Sequence, residues 1–201
     1  MEELRPEKPK LSNATEAVCA AARTDEIAKY KLPAPLCGNC PFFGKRWACP
    51  PLDSNACADF AKKEYANLAA VKIAPVKSGS SAEEIIEDAR KFFDEIFYLL
   101  EKSLPGAILM LAGSCLCPAA RGCPRVRNEP CLRPDKMRLS LEAAGFDVVK
   151  MANDFLHTNI LWEKNGGRPE YFTLVYCIFA DKNAEEGISQ TLAACIANTA
   201  K

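Results

Sequence analysis

Histidine is almost missing from this chain: among 201 residues there is only His157. That excludes the metal sites built on several imidazoles, both the histidine-rich zinc enzymes and the iron centre of two histidines and one carboxylate. An excess of charge of either sign is missing too. The 26 Lys and Arg balance 26 Asp and Glu, which excludes a surface adapted as a whole to polyanions. No apolar run approaches the ~18 residues a membrane helix needs. Residues 1–10 are polar, with Glu2, Glu3, Pro6 and Pro9, and lack the apolar centre of an export signal. There is no Walker loop, no G-x-G-x-x-G and no G-x-S-x-G, so nucleotide and hydrolase readings have no support. What remains is an ordinary globular balance, 49% hydrophobic and 26% charged. The expectation is a soluble, cytoplasmic protein with no membrane and no nucleic-acid partner.

Against that background stand eleven cysteines. The number is odd and no export signal precedes it, so reduced thiols are expected rather than a disulfide framework. Eight fall into two groups of four, each in a segment rich in turn residues. The first is Cys37, Cys40, Cys49 and Cys57, spaced C-x2-C-x8-C-x7-C; the second is Cys115, Cys117, Cys123 and Cys131, spaced C-x-C-x5-C-x7-C. Cys19 and Cys195 lie among alanines in segments expected to be helical, and Cys177 lies inside an apolar strand, where a cysteine serves as a small buried hydrophobe. Four thiolates turned toward one point repel each other unless a cation neutralises them, so each group reads as a metal site. Structural zinc sites show two short cysteine knuckles, and only Cys37 and Cys40 make one here. Cysteine followed by proline, a feature of bacterial ferredoxins, occurs at Cys40, Cys49, Cys117 and Cys123. The long gaps leave room for a cluster larger than an ion. The balance favours [4Fe–4S] clusters, two of them, with zinc as the alternative cofactor.

Along the chain, residues 1–12 read as a flexible tail and 13–201 as a single α/β domain with cysteine loops at 36–57 and 113–134. Ser12 or Asn13 is expected to cap a helix to about residue 31, followed by a short helix near 58–67 and a strand over 68–76. Ser81 and Glu84 form a capping box for a long helix carrying Ile85, Ala89, Phe92, Ile96 and Leu100 at helical spacing, stopped by Pro105-Gly106. Further strands are expected at 107–112, 146–151 and 171–180, and helices at 135–144, 154–162 and 185–198. Asn165-Gly166-Gly167 reads as a turn. Strands separated by helices predict an α/β sandwich with a mixed or mostly parallel sheet, crossover helices and two irregular cysteine-rich metal-binding loops. The helix at 82–104 is expected to cross right-handedly between two parallel strands.

Charge is placed unevenly. Between Cys115 and Arg138 six basic residues, Arg121, Arg125, Arg127, Arg133, Lys136 and Arg138, face two acidic ones, Glu129 and Asp135, and Lys45 and Arg46 are unopposed between Cys37 and Cys49. An anionic cluster is stabilised by such neighbours, which makes Lys45, Arg46, Arg121 and Arg125 candidate cofactor-binding residues. No aromatic stacking pattern accompanies the basic stretch, so nucleic acid is not expected.

The stretches CGNCPFFGKRWACPPL (37–52) and AGSCLCPAARGCPRVRNEPCLRPDKMRLSLEAAGFDV (112–148) resemble the two signatures of DUF2284, a cysteine-rich family of predicted metal-binding proteins. The resemblance spans roughly residues 27–180. It implies Cys37, Cys40, Cys49, Cys123 and Cys131 as ligands and marks Ser140, Glu142, Gly145 and Asp147 as signature positions, but it implies no reaction. The family's second cluster has the form C-x2-C-x2-C where this chain has C-x-C-x5-C, which leaves the relative roles of Cys115 and Cys117 open. Ser140 and Glu142, two apart on an expected helix, point to different faces and make no catalytic pair; Glu142 is placed either to pair with Arg138 or to accept from the backbone of the cysteine loop. His157 is expected on a helix, structural or exposed.

Three functions follow. The first is a redox protein passing single electrons between a donor and a redox partner protein. The second is an enzyme in which Cys57 is not a ligand, leaving an open iron for an anionic substrate held by Lys45 and Arg46. The third is a zinc-bound structural or interaction module. Neither substrate nor oligomeric state is legible.

Overall fold

The computed structural model describes residues 14–32, 36–52, 58–75, 80–117, 122–163 and 167–199. In chain order these form β1 (Ala14–Arg23), α1 (Thr24–Ala28), β2 (Tyr65–Ile73), α2 (Ala82–Ser103), β3 (Ile108–Met110), α3 (Val148–Leu156), β4 (Phe172–Ala180) and α4 (Glu185–Thr199). The expected tail at 1–12, the helix cap at Ser12 or Asn13 and most of the turn at 165–167 lie outside the described residues.

The strands make a four-stranded sheet in the order β1-β2-β4-β3, and every neighbouring pair is antiparallel. This overturns the mixed or mostly parallel sheet. Because β4 runs antiparallel to both β2 and β3, those two point the same way, as a crossover through α2 requires, but they are not neighbours. β4 is inserted between them. Eight of its nine residues are hydrophobic and buried, on both faces, which suits only an interior strand.

β1 replaces the first expected helix. Its sequence ATEAVCAAAR favours helix by propensity, yet it pairs with β2 from Arg23 opposite Tyr65 to Ala14 opposite Ile73. Packing decides here: Ala17 and Cys19 face one side, Ala20 and Ala22 the other, and the small side chains suit an edge strand covered by α4. The helix expected near 58–67 shrinks to a single 3-10 turn, Phe60–Lys62, and β2 begins at Tyr65.

Each face of the sheet carries its own core. Leu174, Tyr176 and Ile178 pack with Ile85, Ala89, Phe93 and Phe97 of α2 and Ile188 and Leu192 of α4. Val175, Cys177 and Phe179 pack with Phe60, Ile27 of α1 and Met151, Ala152 and Leu156 of α3. The capping box of α2 is present: Glu84 N–H donates to Ser81 Oγ at 3.1 Å, and Ser81 N–H to Glu84 Oε2 at 2.7 Å. The buried stripe runs through Phe93 and Phe97, whereas Phe92, Ile96 and Leu100 are only partly buried. Among the described residues no helix is long and apolar enough to cross a membrane.

The helix expected at 135–144 and the strand at 146–151 are not formed. Ser140 Oγ accepts from Ala143 N–H at 3.2 Å and starts a tight turn, which Gly145 closes at φ +88°, a conformation open to glycine at little cost. Asp147 then caps α3, its Oδ1 accepting from Lys150 N–H at 3.0 Å. The signature from Ser140 to Asp147 is thus a turn and a helix cap. Its Ser140 bridges to Leu111 at the exit of β3, which fixes where the second cysteine segment leaves the sheet.

Candidate metal centre

The two cysteine segments meet beside the exposed flank of α2. The first is a series of tight turns. Cys37 lies in the 3-10 helix Leu36–Asn39, Cys40 N–H donates to Cys37 O at 2.9 Å, Phe43 N–H to Cys40 O at 3.0 Å, and Cys49 N–H to Arg46 O at 3.0 Å. Gly44, at φ +70°, reverses the chain so that its N–H reaches Pro50 O at 2.7 Å. In the second segment, Cys123 precedes the 3-10 helix Pro124–Arg127, with Pro124 at its first turn where no N–H is needed.

Among the described residues, the cysteines of each group line a common cavity. Cys37, Cys40 and Cys49 line one cavity of about 380 Å³, and Cys115, Cys117, Cys123 and Cys131 line a second of about 580 Å³. Phe42, Arg46, Glu87 and Leu116 belong to the walls of both, so the cavities adjoin. A larger hollow of about 950 Å³, between the end of α2 and the start of α4, contains no cysteine, so size does not mark the site. All ten described cysteines are free thiols. Cys57 and Arg121 lie outside the described residues. The leftover three stay apart: Cys177 is fully buried in β4, Cys195 is half-buried in α4, and Cys19 is half-buried in β1, a strand rather than the expected helix.

Burial, and then the neighbouring Cys40 and Glu142, raises the Cys37 thiol above its ordinary range. Burial pushes Cys115 up to about 11, aided by Cys123, Cys131 and Cys117 and opposed by Arg46. Cys49 is also raised by burial, while Arg46 and Arg125 pull it down. Burial thus favours the protonated form of these three thiols, and a metal that binds them must displace those protons. Among the described residues no group of three or more His, Cys, Asp or Glu side chains could hold a metal ion in the arrangement seen. The thiols line cavity walls instead of meeting at a point.

The basic residues divide by role. Arg46 stacks on Phe42 at 3.6 Å, donates to Ser114 Oγ and faces both cavities. Lys45 is exposed on the wall of the second cavity. Arg125 is committed to the backbone of the first segment, donating to Arg46 O at 2.7 Å and to Cys49 O and Pro51 O. Trp47 Nε1–H donates back to Glu129 O at 3.1 Å, so the two segments are tied in both directions. Arg138 pairs with Glu101 at 2.9 Å, not with Glu142. Glu142 is exposed, and its backbone carbonyl accepts from Cys37 Sγ–H at 3.6 Å. His157 is exposed at the C-cap of α3 with φ +47°.

Sequence reasoning missed what α2 contributes. Glu83, Glu87, Arg90, Lys91, Asp94, Glu95 and Tyr98 form one polar stripe along the cavities. The signal was Arg90 and Asp94, four apart and flanked by the apolar positions Ala89, Phe93 and Phe97, which places two opposite charges on a buried helix face.

No curated protein and no solved structure matches the chain. A family model matches over residues 23–177, a span that takes in both cysteine segments and the turn from Ser140 to Asp147, and the chain belongs to that family, DUF2284, described as predicted metal-binding proteins.

Proposed function

We propose that this metal-binding protein carries two all-cysteine [4Fe–4S] clusters and acts as an electron-transfer protein for a redox partner. The observation that carries the reading is the adjacency of two cavities, one lined by three free thiols and the other by four, across the common wall of Phe42, Arg46, Glu87 and Leu116. Thiols spread around cavity walls suit a centre with its own volume and its own bridging sulfide better than a lone ion, whose ligands must close to ~2.3 Å. The donor set is soft thiolate without imidazole. Arg90, lining the first cavity, has its Nε buried without an acceptor, as suits a neighbouring sulfur acceptor. Bound clusters supply one-electron chemistry; the chain supplies thiols and backbone turns to hold them and cations to offset their charge. Exposed Leu36 and Phe43 on one segment and Val126 and Leu132 on the other offer an apolar rim to a partner.

Protein purified and kept without oxygen after growth on ample iron tests the reading. The expectation is iron and acid-labile sulfide in similar amounts with broad visible absorption. Stoichiometric zinc without sulfide refutes it and favours the structural module.

The enzymatic reading draws on one observation: among the described residues, which do not include Cys57, three cysteines line the first cavity, which also holds Arg46, Arg90, Ser114 and Ser140. A cluster with three thiolates keeps an open iron, and the arginines would receive an anionic substrate there. Perturbation of the reduced-cluster spectrum by small anions distinguishes this reading from the carrier.

A further inference from the structure

α2 buries an ion pair against the sheet. Arg90 Nη2 and Asp94 Oδ2 are 3.2 Å apart, one helical turn from each other, with side chains only 7% and 8% exposed. Tyr176 of β4 donates its hydroxyl to Asp94 Oδ1 at 2.8 Å, which anchors the carboxylate from below. The two ends of the pair face different cavities. Arg90 lines the cavity of Cys37, Cys40 and Cys49; Asp94 lines that of Cys115, Cys117, Cys123 and Cys131. Gly113, at φ +97°, lies against the guanidinium: a Cβ there would be in ordinary contact with Arg90 Nη1 at 3.6 Å. A buried pair of this kind adds little stability over apolar residues of the same volume, and Phe93 and Phe97 on the same face show that apolar residues fit there.

We propose that the Arg90–Asp94 pair polarises the two metal centres in opposite senses and thereby sets the direction of electron flow, from the second centre to the first. This rests on the two-cluster reading. Reduction adds a negative charge to a cluster. The guanidinium facing the first centre favours that charge, and the carboxylate facing the second opposes it, through a medium that screens them weakly. The transfer oxidises the second cluster by one electron and reduces the first by one; no bond forms or breaks, and no proton moves. Arg46 touches both cavities and contributes little to the difference. Lys45 and Arg133 on the second cavity, and Glu83 and Glu142 on the first, act in the opposite sense; Lys45, Glu83 and Glu142 are exposed, where screening is strong, and Arg133 is half-buried, whereas Arg90 and Asp94 are buried, and Lys91 and Lys136 are paired with Glu87 and Glu95.

The test is a redox titration of the full chain reconstituted anaerobically with ferrous iron and sulfide, followed by electron paramagnetic resonance. Cys49→Ala and Cys123→Ala, each lacking one centre, assign the signals. The first centre is expected to have the higher potential. Arg90→Gln should lower the reduced-to-oxidised ratio of the first centre about tenfold at fixed potential, equivalent to about 59 mV for one electron. Asp94→Asn should raise that ratio for the second centre by a similar factor. A more positive second centre in the unmodified protein overturns the proposal without any α2 variant. Equal shifts of both centres, or none, in the α2 variants overturn it as well while leaving the two-cluster reading intact. A protein that takes up only zinc overturns both.

Discussion

Removing the side chain of Arg125 should unlatch the first cysteine segment while leaving the sheet intact. Arg125 donates to the carbonyls of Arg46, Cys49 and Pro51, and its guanidinium lies 5.5 Å from the centre of the Trp47 ring. The Pro51 contact is exposed and counts for little. The contacts to Arg46 and Cys49 are partly buried, and hydrogen bonds from a charged donor contribute about 1.5 kcal/mol each at the low end. Arg125→Ala should therefore destabilise the closed segment by about 3 kcal/mol, roughly a hundredfold in the opening equilibrium. Cys49, only 8% exposed in the closed segment, reports on opening directly. In metal-free protein its alkylation rate should rise by about that factor, and in loaded protein a chelator should strip the first site correspondingly faster. Arg125→Lys, with a compact ammonium in place of a planar fork, should restore only part of the effect. The melting of the sheet, followed by circular dichroism, should be nearly unchanged, because Arg125 belongs to neither core. Unchanged Cys49 alkylation, or collapse of the whole fold, would refute the reasoning.

The leftover cysteines should be dispensable for metal: alanine at Cys19, Cys177 or Cys195 should leave metal content normal, with the fully buried Cys177 costing about 1 kcal/mol in chemical denaturation, and loss of metal in any of them would mean the grouping is wrong. Cys57→Ala should damage the first centre and reduce its iron if Cys57 closes that site; full retention of iron, with added thiolate or a small anion binding to the cluster, would move the enzymatic reading ahead of the carrier. Ser81→Ala removes the acceptor for Glu84 N–H and should cost about 1 kcal/mol in denaturant unfolding without altering metal content, whereas a loss of metal would show that the start of α2 supports the cysteine cavities.

Much of the site was legible in the chain because its chemistry is local. Thiols in turn-rich segments, separated by short gaps and prolines, can come together only by folding those segments on themselves, so the division into two groups survived in space for the seven described members. The capping box of α2 and the apolar run of β4 were legible for the same reason, since a helix cap and a strand core each depend on residues a few positions apart. Tertiary structure decided the rest. An alanine-rich segment became a strand because β2 offered it an edge, and its small side chains admit α4 against that edge. β4 separated β2 from β3 because a strand apolar on both faces must lie inside a sheet, which no local pattern of β2 or β3 could announce. In sequence Arg125 read as a charge for the cofactor; folding spent its hydrogen bonds on the backbone of the other segment, some 75 residues away. Arg90 and Asp94 acquired their relation to the two thiol groups only when α2 was laid against both cavities, because a helix face has no partner until the sheet it packs on is built.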